Sequence, residues 1–242
     1  MADLKSMFQR YFEIIPADSP GLREEIFRMR YKVYCMEGCV PGFEAYKYPE
    51  EKEIDRFDRH SVYSLLRHKP SGAFAGSVRL ILADRKDPER PLPIEERLYH
   101  SLDPDVKISA LPRRQIAEVS RLVVTRQFRC RSGENFKPYP VPDLSAGKKE
   151  GVERRNFPGP AVGLAVSIIQ MCLKYNIRYL LAAMEPGLNQ LLKRFMLHMK
   201  PIAPTMEYYG PRRPYLAEVS EDSLNRLYMN QRDIWDLIHE KF

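Results

Sequence analysis

The sequence predicts one α/β domain with a mixed sheet, and three observations lead to this prediction. The chain has 242 residues, a length typical of one large domain or two small ones. Hydrophobic residues make up 44% of it and charged residues 29%, which are globular proportions and exclude wholesale disorder. Short apolar runs typical of strands alternate with amphipathic stretches typical of helices, and no internal repeat interrupts them.

The N-terminal region predicts a helix, a strand and a second helix. Residues 3–12 place apolar side chains at helical spacing, and Phe12–Ile15 is a short strand candidate. Ser19 is a typical N-cap, and Pro20 suits the first helical position that follows it. We expect this second helix to bury one face and to end near Gly38.

The remaining elements follow from apolar runs and from the prolines between them. Two β-branched and leucine-rich strands are predicted at Ser61–Leu66 and Ala75–Ala83, an irregular excursion at 84–112, and a strong strand at Ala117–Thr125. A long basic loop is predicted at 126–159, with eight Lys and Arg against four Asp and Glu. The C-terminal part predicts a helix from Pro160, a strand at Arg178–Met184, a helix from Pro186, a strand at Pro214–Val219 and a helix at 222–240.

The composition narrows the class of protein. The formal net charge of +7 (39 basic against 32 acidic residues) is compatible with an acidic partner, although solubility explains it equally well. Four cysteines without matching Cys or His pairs predict neither a disulfide framework nor a metal site. The sequence contains no run of 18 apolar residues, which a membrane-spanning helix would require. Its first twenty residues also lack the pattern of a secretory signal, so we expect a cytoplasmic protein.

Three clusters of polar residues carry potential chemistry. Arg28 and Arg30 lie in a helix with an apolar stripe, and they can either reach a cleft or remain solvated. The second cluster consists of three carboxylates in the segment 53–58: Glu53, Asp55 and Asp58. These carboxylates can hold an ammonium group or a set of arginines, or they can simply belong to a charged loop.

The third cluster interrupts the apolar run at Ala117–Thr125. Glu118, Ser120 and Arg121 lie in what otherwise predicts a strand buried on both faces, where charges are unfavourable unless they are paired or functional. Strand alternation places Glu118 and Ser120 on one face and Arg121 on the other, so a β-bulge is needed to bring Arg121 round. A structural ion pair is the alternative to a functional role.

In this order, the three clusters resemble the autoinducer-synthase branch of the GNAT-type acyltransferases. That branch has an FRxR helix, an ExDxxD segment, a strand that ends in an arginine and an ExSR strand. The matching positions here are Phe27–Arg30, Glu53 to Asp58, Arg79 and Glu118 to Arg121, and the likeness covers roughly residues 10–220. The stretches RYKVYCMEG, DRFDRHSVY, AEVSRLVV and RQFRCRSG most resemble acyltransferases associated with exosortase/PEP-CTERM systems, which are similar to long-chain N-acyl amino acid synthases.

The resemblance implies a fold, a reaction and roles for residues. The fold is a single GNAT-like domain with a mixed, largely antiparallel twisted sheet flanked by helices. The reaction is transfer of a fatty acyl group from a thioester to the amine of an amino acid, without a bound cofactor. Glu118 serves as the base, backbone N–H groups at Ser120–Leu122 stabilise the oxyanion, and Arg121 frames the site with Arg79 by pairing with the acidic segment. The acceptor is held by residues of the first two clusters and the strand arginine, namely Arg28, Arg30, Tyr34, Glu53, Asp55, Asp58 and Arg79. Among these, Arg30 or Arg79 is expected to bind the carboxylate of the acceptor, and Asp55 or Asp58 its ammonium group.

The acyl donor implied by the resemblance is acyl carrier protein, with acyl-CoA as the alternative. Carrier proteins are acidic, and basic residues of the predicted loop form a candidate docking surface: Arg126, Arg129, Arg131, Lys148, Lys149, Arg154 and Arg155. The apolar stretches 161–173 and 178–184 are expected to wall a tunnel for the acyl chain, with Met171 and Met184 as lining.

Two alternatives stay open at this point. Synthesis of an acyl-homoserine lactone from S-adenosylmethionine is one, but synthases of that kind carry a tryptophan where this chain has Val40, which favours an ordinary amino acid as acceptor. A non-enzymatic basic binding module is the other. No nucleic-acid-binding motif supports it, and the acidic segment 50–58 interrupts any basic stripe.

Overall fold

The computed structural model describes residues 3–38, 40–98, 102–103, 105–129, 159–193 and 197–240. The strands are β1 (Phe12–Pro16), β2 (Ser61–His68), β3 (Phe74–Leu82), β4 (Ile116–Val124), β5 (Tyr179–Met184), β6 (Lys200–Pro201), β7 (Met206–Glu207) and β8 (Pro211–Glu218). The α-helices are α1 (Leu4–Tyr11), α2 (Pro20–Tyr31), α3 (Pro93–Leu98), α4 (Arg126–Arg129), α5 (Gly159–Lys174), α6 (Pro186–Lys193), α7 (Glu221–Asn230) and α8 (Arg232–Ile238).

Across the described ranges, the eight strands form one mixed sheet in the order β1-β2-β3-β4-β5-β8-β6, with β7 paired to β8. All neighbouring strands run antiparallel except β4 and β5, which are parallel. The predicted architecture, a single α/β domain with a mixed, largely antiparallel sheet flanked by helices, is therefore confirmed.

The parallel pair β4–β5 is short, and this shortness opens the sheet. The two strands pair only from Ile116 to Glu118 on one side and from Tyr179 to Leu181 on the other. Beyond these residues, Val119–Val124 and Ala182–Met184 line the same cavity. The fold thus creates a gap between two central strands, at the position where β4 carries its polar residues.

Helix α5 covers the face of the sheet formed by β1, β2 and β3. It is apolar around most of its circumference, and Val162 to Cys172 are all buried, as expected for a helix packed on several sides. Gly163 allows the close approach, because a Cβ atom there would lie 2.6 Å from the Leu66 side chain and 2.9 Å from Phe8.

Helix α2 follows its sequence signals closely. Ser19 caps it by accepting a hydrogen bond from the Leu22 N–H, and Pro20 occupies its first turn. The helix continues as one π-helical segment, Lys32–Glu37, which ends at Gly38 where the sequence predicts a stop.

The structure corrects three predictions and adds two strands that were not predicted. The excursion 84–112 is not wholly irregular, because it contains α3. The C-terminal segment 222–240 is not one helix, since a break at Gln231 separates α7 from α8. The loop 126–159 begins as the short helix α4, and its residues 130–158 lie outside the described part of the chain. The strands β6 and β7, only two residues each, have too little apolar pattern to be predicted.

Within the described ranges, none of the helices combines the length and the apolar character that crossing a membrane requires.

Candidate active site

A β-bulge on β4 shapes the candidate site. Arg79 of β3 faces Ser120, but Ser77 faces Val123, so Arg121 and Leu122 together oppose the single residue Val78. Arg121 adopts a left-handed backbone conformation with φ +50°, which is uncommon for a residue other than glycine. The bulge turns Arg121 to the same side as Glu118 and Ser120, and all three line the cavity.

Arg30 forms the buried end of an ion-pair network. Its side chain has no solvent exposure, and Ile26 and Met29 of the same helix are also buried. Arg30 donates to Glu53 through Nε and to Asp58 through Nη1 (2.8 Å) and Nη2 (3.2 Å). Its guanidinium is therefore fully used by two carboxylates.

Arg79 and Arg121 extend this network to the cavity wall. Arg79 donates to Asp55 (2.7 and 2.9 Å), to Asp58 (2.7 Å) and to the Ser120 hydroxyl (2.9 Å). Arg121 donates to Glu53 (3.0–3.2 Å) and to Asp55 (3.0 Å). The expected pairing of Arg79 and Arg121 with the acidic segment is thus present.

The network is balanced in charge, with three arginines and three carboxylates. Burial raises the pKa of Asp58, but the Arg30 and Arg79 guanidiniums outweigh burial and hold this pKa well below its ordinary value. The pKa of Glu53 and that of Asp55 are lowered for the same reason. All three carboxylates are therefore ionised at neutral pH.

Local backbone contacts fix the acidic segment that holds these carboxylates. Asp55 caps a short 3₁₀ helix at Arg56–His60 by accepting from the Phe57 N–H, and Asp58 accepts in return from the Asp55 N–H (2.7 Å). Asp58 also accepts a hydrogen bond from the Tyr63 hydroxyl (2.7 Å). These contacts hold the carboxylates of the segment in position to bind the arginines.

Glu118 has the opposite surroundings. Its side chain is buried, and in the described residues it forms no ion pair and accepts one hydrogen bond, from the Ile94 N–H at 2.8 Å. Burial raises the pKa of Glu118 to about 8, although the Ile94 N–H and the charges of Arg79 and Arg121 oppose this rise. A carboxyl group that titrates near neutral pH inside a cavity can accept and release protons.

The cavity beside these groups has a volume of about 420 Å³ and two different ends. Its polar end holds Glu118, the bulge and the acidic segment. Its apolar end lies in the gap between β4 and β5 and is lined by side chains from these strands and from α5 and α6, including Val119, Leu164, Met184, Leu188 and Leu191. The stretches 161–173 and 178–184, which were expected to wall an acyl tunnel, contribute Leu164 and Met184 to this apolar end, whereas Met171 is in the core and does not line it.

Aromatic rings enclose the Arg121 guanidinium. Its central carbon lies 4.9 Å from the Phe43 ring centroid, 5.9 Å from Tyr34 and 6.0 Å from Tyr209. Phe43 packs in turn against Tyr34 and Tyr209, with centroids 4.7 and 4.8 Å apart. Gly42 permits this packing, because with φ +90° an added Cβ would lie only 2.8 Å from the Tyr209 ring.

Most of the predicted site residues are brought together, but two groups are not. Arg28 is exposed and pairs with Glu24 (2.8 Å) on the surface, away from the cavity. Among the predicted docking residues, Arg126 is exposed, and its backbone N–H donates to Glu37 beside the cavity-lining Gly38. Arg129 closes α4, and the other five (Arg131, Lys148, Lys149, Arg154 and Arg155) lie outside the described residues.

The structure also changes what four predicted substrate-binding residues can bind. Arg30 and Arg79 were expected to hold a substrate carboxylate, yet both are already bound by protein carboxylates. Asp55 and Asp58, expected to hold an ammonium group, are occupied in the same way. All four side chains belong to the ion-pair network that holds Ser120 and Arg121 of the bulged strand.

Several cavity residues were not predicted from the sequence. Arg97 lies on α3, and Tyr208 and Tyr209 belong to the turn between β7 and β8. The signal for α3 was available, since Pro93 at a helix start followed by Glu95 and Glu96 is a typical first turn. The turn offered no such signal, because strand β7 has only two residues.

The chain was compared with known proteins first by sequence and then by structure. Residues 29–136 match the acetyltransferase (GNAT) domain family. No curated protein sequence matches the chain.

Solved structures with a similar fold include three synthases. The AHL synthase LasI matches with a TM-score of 0.58 and 15% identity, over 91% of this chain and 96% of that one. BjaI, a CoA-dependent acyl-homoserine lactone synthase, matches with a TM-score of 0.57 and 17% identity, over 90% and 88%. FeeM, an N-acyl amino acid synthase from uncultured soil microbes, matches with a TM-score of 0.52 and 14% identity, over 91% and 97%. The chain therefore has the fold of a single GNAT-like domain, within which residues 29–136 match the acetyltransferase family by sequence.

Proposed function

We propose that this chain is an N-acyltransferase that moves a fatty acyl group from a thioester to the amino group of an amino acid. The observation that carries the proposal is Glu118, a buried carboxyl group without an ion-pair partner in the described residues, beside a bulged strand and at the polar end of a partly apolar cavity. The similarity of the fold to LasI, BjaI and FeeM supports the same reaction class.

The reaction needs a base, because only a neutral amine attacks a thioester. In the proposed step, the amine nitrogen bonds to the thioester carbonyl carbon and Glu118 takes the proton lost from nitrogen. The carbon–sulfur bond then breaks, and the same proton passes from Glu118 to the leaving sulfur, which is released as the thiol. A well-placed base accelerates such a step by ~10²–10⁴-fold. The pKa of about 8 matches this task near neutral pH.

The bulge supplies the second requirement, stabilisation of the tetrahedral oxyanion. Ser120, Arg121 and Leu122 all line the cavity, and a bulge removes backbone groups from regular pairing. Backbone N–H groups at these residues are the proposed donors. Ser120, whose oxygen accepts from Arg79, helps to fix their position.

The apolar end of the cavity is the proposed binding site for the acyl chain. Its lining from α5, α6 and β5 would lose contact with water when an alkyl chain enters, at ~0.8 kcal/mol for each buried CH₂ group. The free energy of binding is thus expected to increase with chain length until the cavity is filled.

The donor and the finer identity of the acceptor remain proposals from the sequence. Acyl carrier protein is proposed as the donor, and acyl-CoA is the alternative, as the name of BjaI indicates for that protein. The acyl-homoserine lactone alternative is less favoured, since Val40 lines the cavity where a tryptophan was expected. The likeness to exosortase/PEP-CTERM-associated acyltransferases and a cytoplasmic location also stay predictions.

The proposal is tested by supplying the purified chain with acyl thioesters and a panel of amino acids, and by identifying products by mass spectrometry. The expected product is an N-acyl amino acid, formed by the wild-type chain and by Glu25→Gln, an exposed control. Glu118→Gln is expected to lose the product. Consumption of S-adenosylmethionine would favour lactone synthesis, and absence of any acylated product would contradict the proposal.

The donor is distinguished by reversing the basic residues Arg129, Arg131, Lys148 and Lys149 to Glu. We expect a higher KM for acyl carrier protein, an unchanged KM for the amino acid, and a smaller difference at high salt. Equal loss with acyl-CoA, which lacks the acidic protein surface, would mean that these residues serve another purpose.

A further inference from the structure

The charged residues that line the cavity pair off almost completely. Nine such residues are described: Glu53, Asp55, Arg56, Arg79, Glu96, Arg97, Glu118, Arg121 and Arg212. Arg79 and Arg121 are bound by the acidic segment. Arg56 pairs with Glu96 at 2.5–2.6 Å, and Arg212 pairs with Glu185.

Two residues of this set, one basic and one acidic, have no ion-pair partner among the described residues. Within the described ranges, neither Arg97 nor Glu118 forms an ion pair, and the two do not pair with each other. On the same helix as Arg97, Glu95 binds Arg113 and Glu96 binds Arg56. Arg97 is therefore the one cavity-lining arginine, among those described, that has no carboxylate partner.

Helix α3 brings Arg97 and Glu118 to one corner of the cavity. The Ile94 N–H donates to the Glu118 carboxyl group at 2.8 Å, and Arg97 lies three residues further along the same helix. The Ile94 side chain is buried and the Arg97 side chain is exposed, so Glu118 is bound by the backbone of the helix and not by the face that carries Arg97. Arg97 is attached about one helical turn beyond the residue that binds Glu118, and both Arg97 and Glu118 line the same cavity.

Tyr208 completes the corner. Its ring centroid lies 5.8 Å from the central carbon of the Arg97 guanidinium, which favours one orientation of this otherwise mobile side chain. Burial raises the pKa of Tyr208, and the nearby charge of Glu118 raises it further, so the hydroxyl stays protonated. Tyr208 thus packs its ring against Arg97 and brings a protonated hydroxyl, a hydrogen-bond donor, to the lining of the same cavity.

We infer that this corner recognises a zwitterionic α-amino acid, with the substrate carboxylate on Arg97 and its amino group at Glu118. The inference deepens the proposed function and rests on it for the fate of the amine. A guanidinium binds a carboxylate through two parallel hydrogen bonds, which fixes orientation as well as affinity. A simple alkyl amine would leave Arg97 without a partner, so the site selects amino acids over amines.

Kinetics with matched substrates test the inference. The wild-type chain, Arg97→Gln and the exposed control Arg85→Gln are compared with an amino acid, with its carboxamide and with varied thioester. We expect Arg97→Gln to raise the KM for the amino acid by roughly ten-fold or more, since a charge-assisted hydrogen bond is lost. The KM for the carboxamide and that for the thioester should not change, and Arg85→Gln should resemble the wild type.

Two kinetic outcomes would overturn the inference. An equal effect of Arg97→Gln on the amino acid and its carboxamide would mean that Arg97 does not contact the carboxylate. A higher KM for the thioester instead of the amino acid would assign Arg97 to an anionic group of the acyl donor.

Calorimetric binding without any acyl donor separates this inference from the proposed function. Binding of the amino acid by the wild type but not by Arg97→Gln, in the absence of any acyl transfer, would support the subsite and contradict the proposed reaction. Transfer that is indifferent to Arg97 would support the reaction and overturn the subsite. Absence of both binding and transfer would overturn both.

Discussion

Glu118 and Arg121 lie three residues apart on β4, but their charged groups have opposite surroundings. Arg121 is bound by two carboxylates and enclosed by three aromatic rings. Glu118 accepts one backbone hydrogen bond and has no ion-pair partner in the described residues. The comparison shows that buried charge alone does not identify a catalytic group, because a fully paired charge supports structure while an unpaired one remains able to react.

The largest expected effect lies in the paired region. Arg30→Ala leaves Glu53 and Asp58 buried beside an empty space, and breaking a buried pair in this way costs ~3–5 kcal/mol in the free energy of unfolding. Arg28→Ala, on the exposed face of the same helix, should change it by less than about 0.5 kcal/mol. Urea denaturation measures the free energy of unfolding of both variants. Similar losses for the two would contradict the view that the buried network stabilises the fold.

Glu118→Gln is expected to separate folding from activity. The amide keeps the size of the side chain and removes the base, so kcat should fall by ~10²-fold or more while the protein remains folded. Circular dichroism checks the fold, and single-turnover kinetics check the chemical step. Near-normal turnover when chemistry limits the rate would reject Glu118 as the base.

The two regions should also respond to opposite ends of the pH scale. The folded-state pKa of Glu118 is raised from 4.5 to about 8, so the folded state holds this proton more tightly and wild-type stability falls as pH rises from about 5 to 8. The expected slope is about 1 kcal/mol per pH unit, and it should be absent from Glu118→Gln. Stability of the variant relative to wild type is therefore measured by denaturation between pH 5 and pH 9.

The network carboxylates behave in the reverse sense. The pKa of Asp58 is lowered, so its stabilising contribution is present above pH 4 and is lost as pH falls further. A difference between wild type and Glu118→Gln that does not grow towards alkaline pH would contradict the view that Glu118 is unpaired.

The smallest expected effect concerns the rings around Arg121. A double-mutant cycle with Phe43→Leu and Arg121→Met isolates their interaction, which we expect to contribute ~0.5–2 kcal/mol. Denaturation of the four proteins gives the coupling free energy. A value indistinguishable from zero would show that Phe43 only fills space beside the guanidinium.

The sequence allows much of the fold and part of the site to be predicted. Glu118 and the bulge were predictable, because a charge inside an apolar strand is visible in the local pattern. The choice between Arg28 and Arg30 was available too, since Ile26, Met29, Arg30 and Val33 repeat at the spacing of one helix face.

The corner formed by Arg97 and Tyr208 was not predictable in the same way. Arg97 lies on a six-residue helix inside a proline-rich stretch, too short for a periodic pattern. Tyr208 reaches the cavity only because a two-residue strand pairs with β8, and such a pairing depends on contacts distant in sequence. The start signal at Pro93, Glu95 and Glu96 can indicate a short helix, but it does not show which cavity the side chains of that helix line.

The contact between Gly42 and Tyr209 has a consequence for engineering of the cavity. The missing side chain at position 42 sets how closely the turn after β7 can approach the segment around Phe43. A Gly42→Ala substitution would strain a backbone that has φ +90° and would force the Tyr209 ring to move. Because Tyr209 lines the cavity and lies against the Arg121 guanidinium, position 42 controls the shape of the cavity beside the bulge.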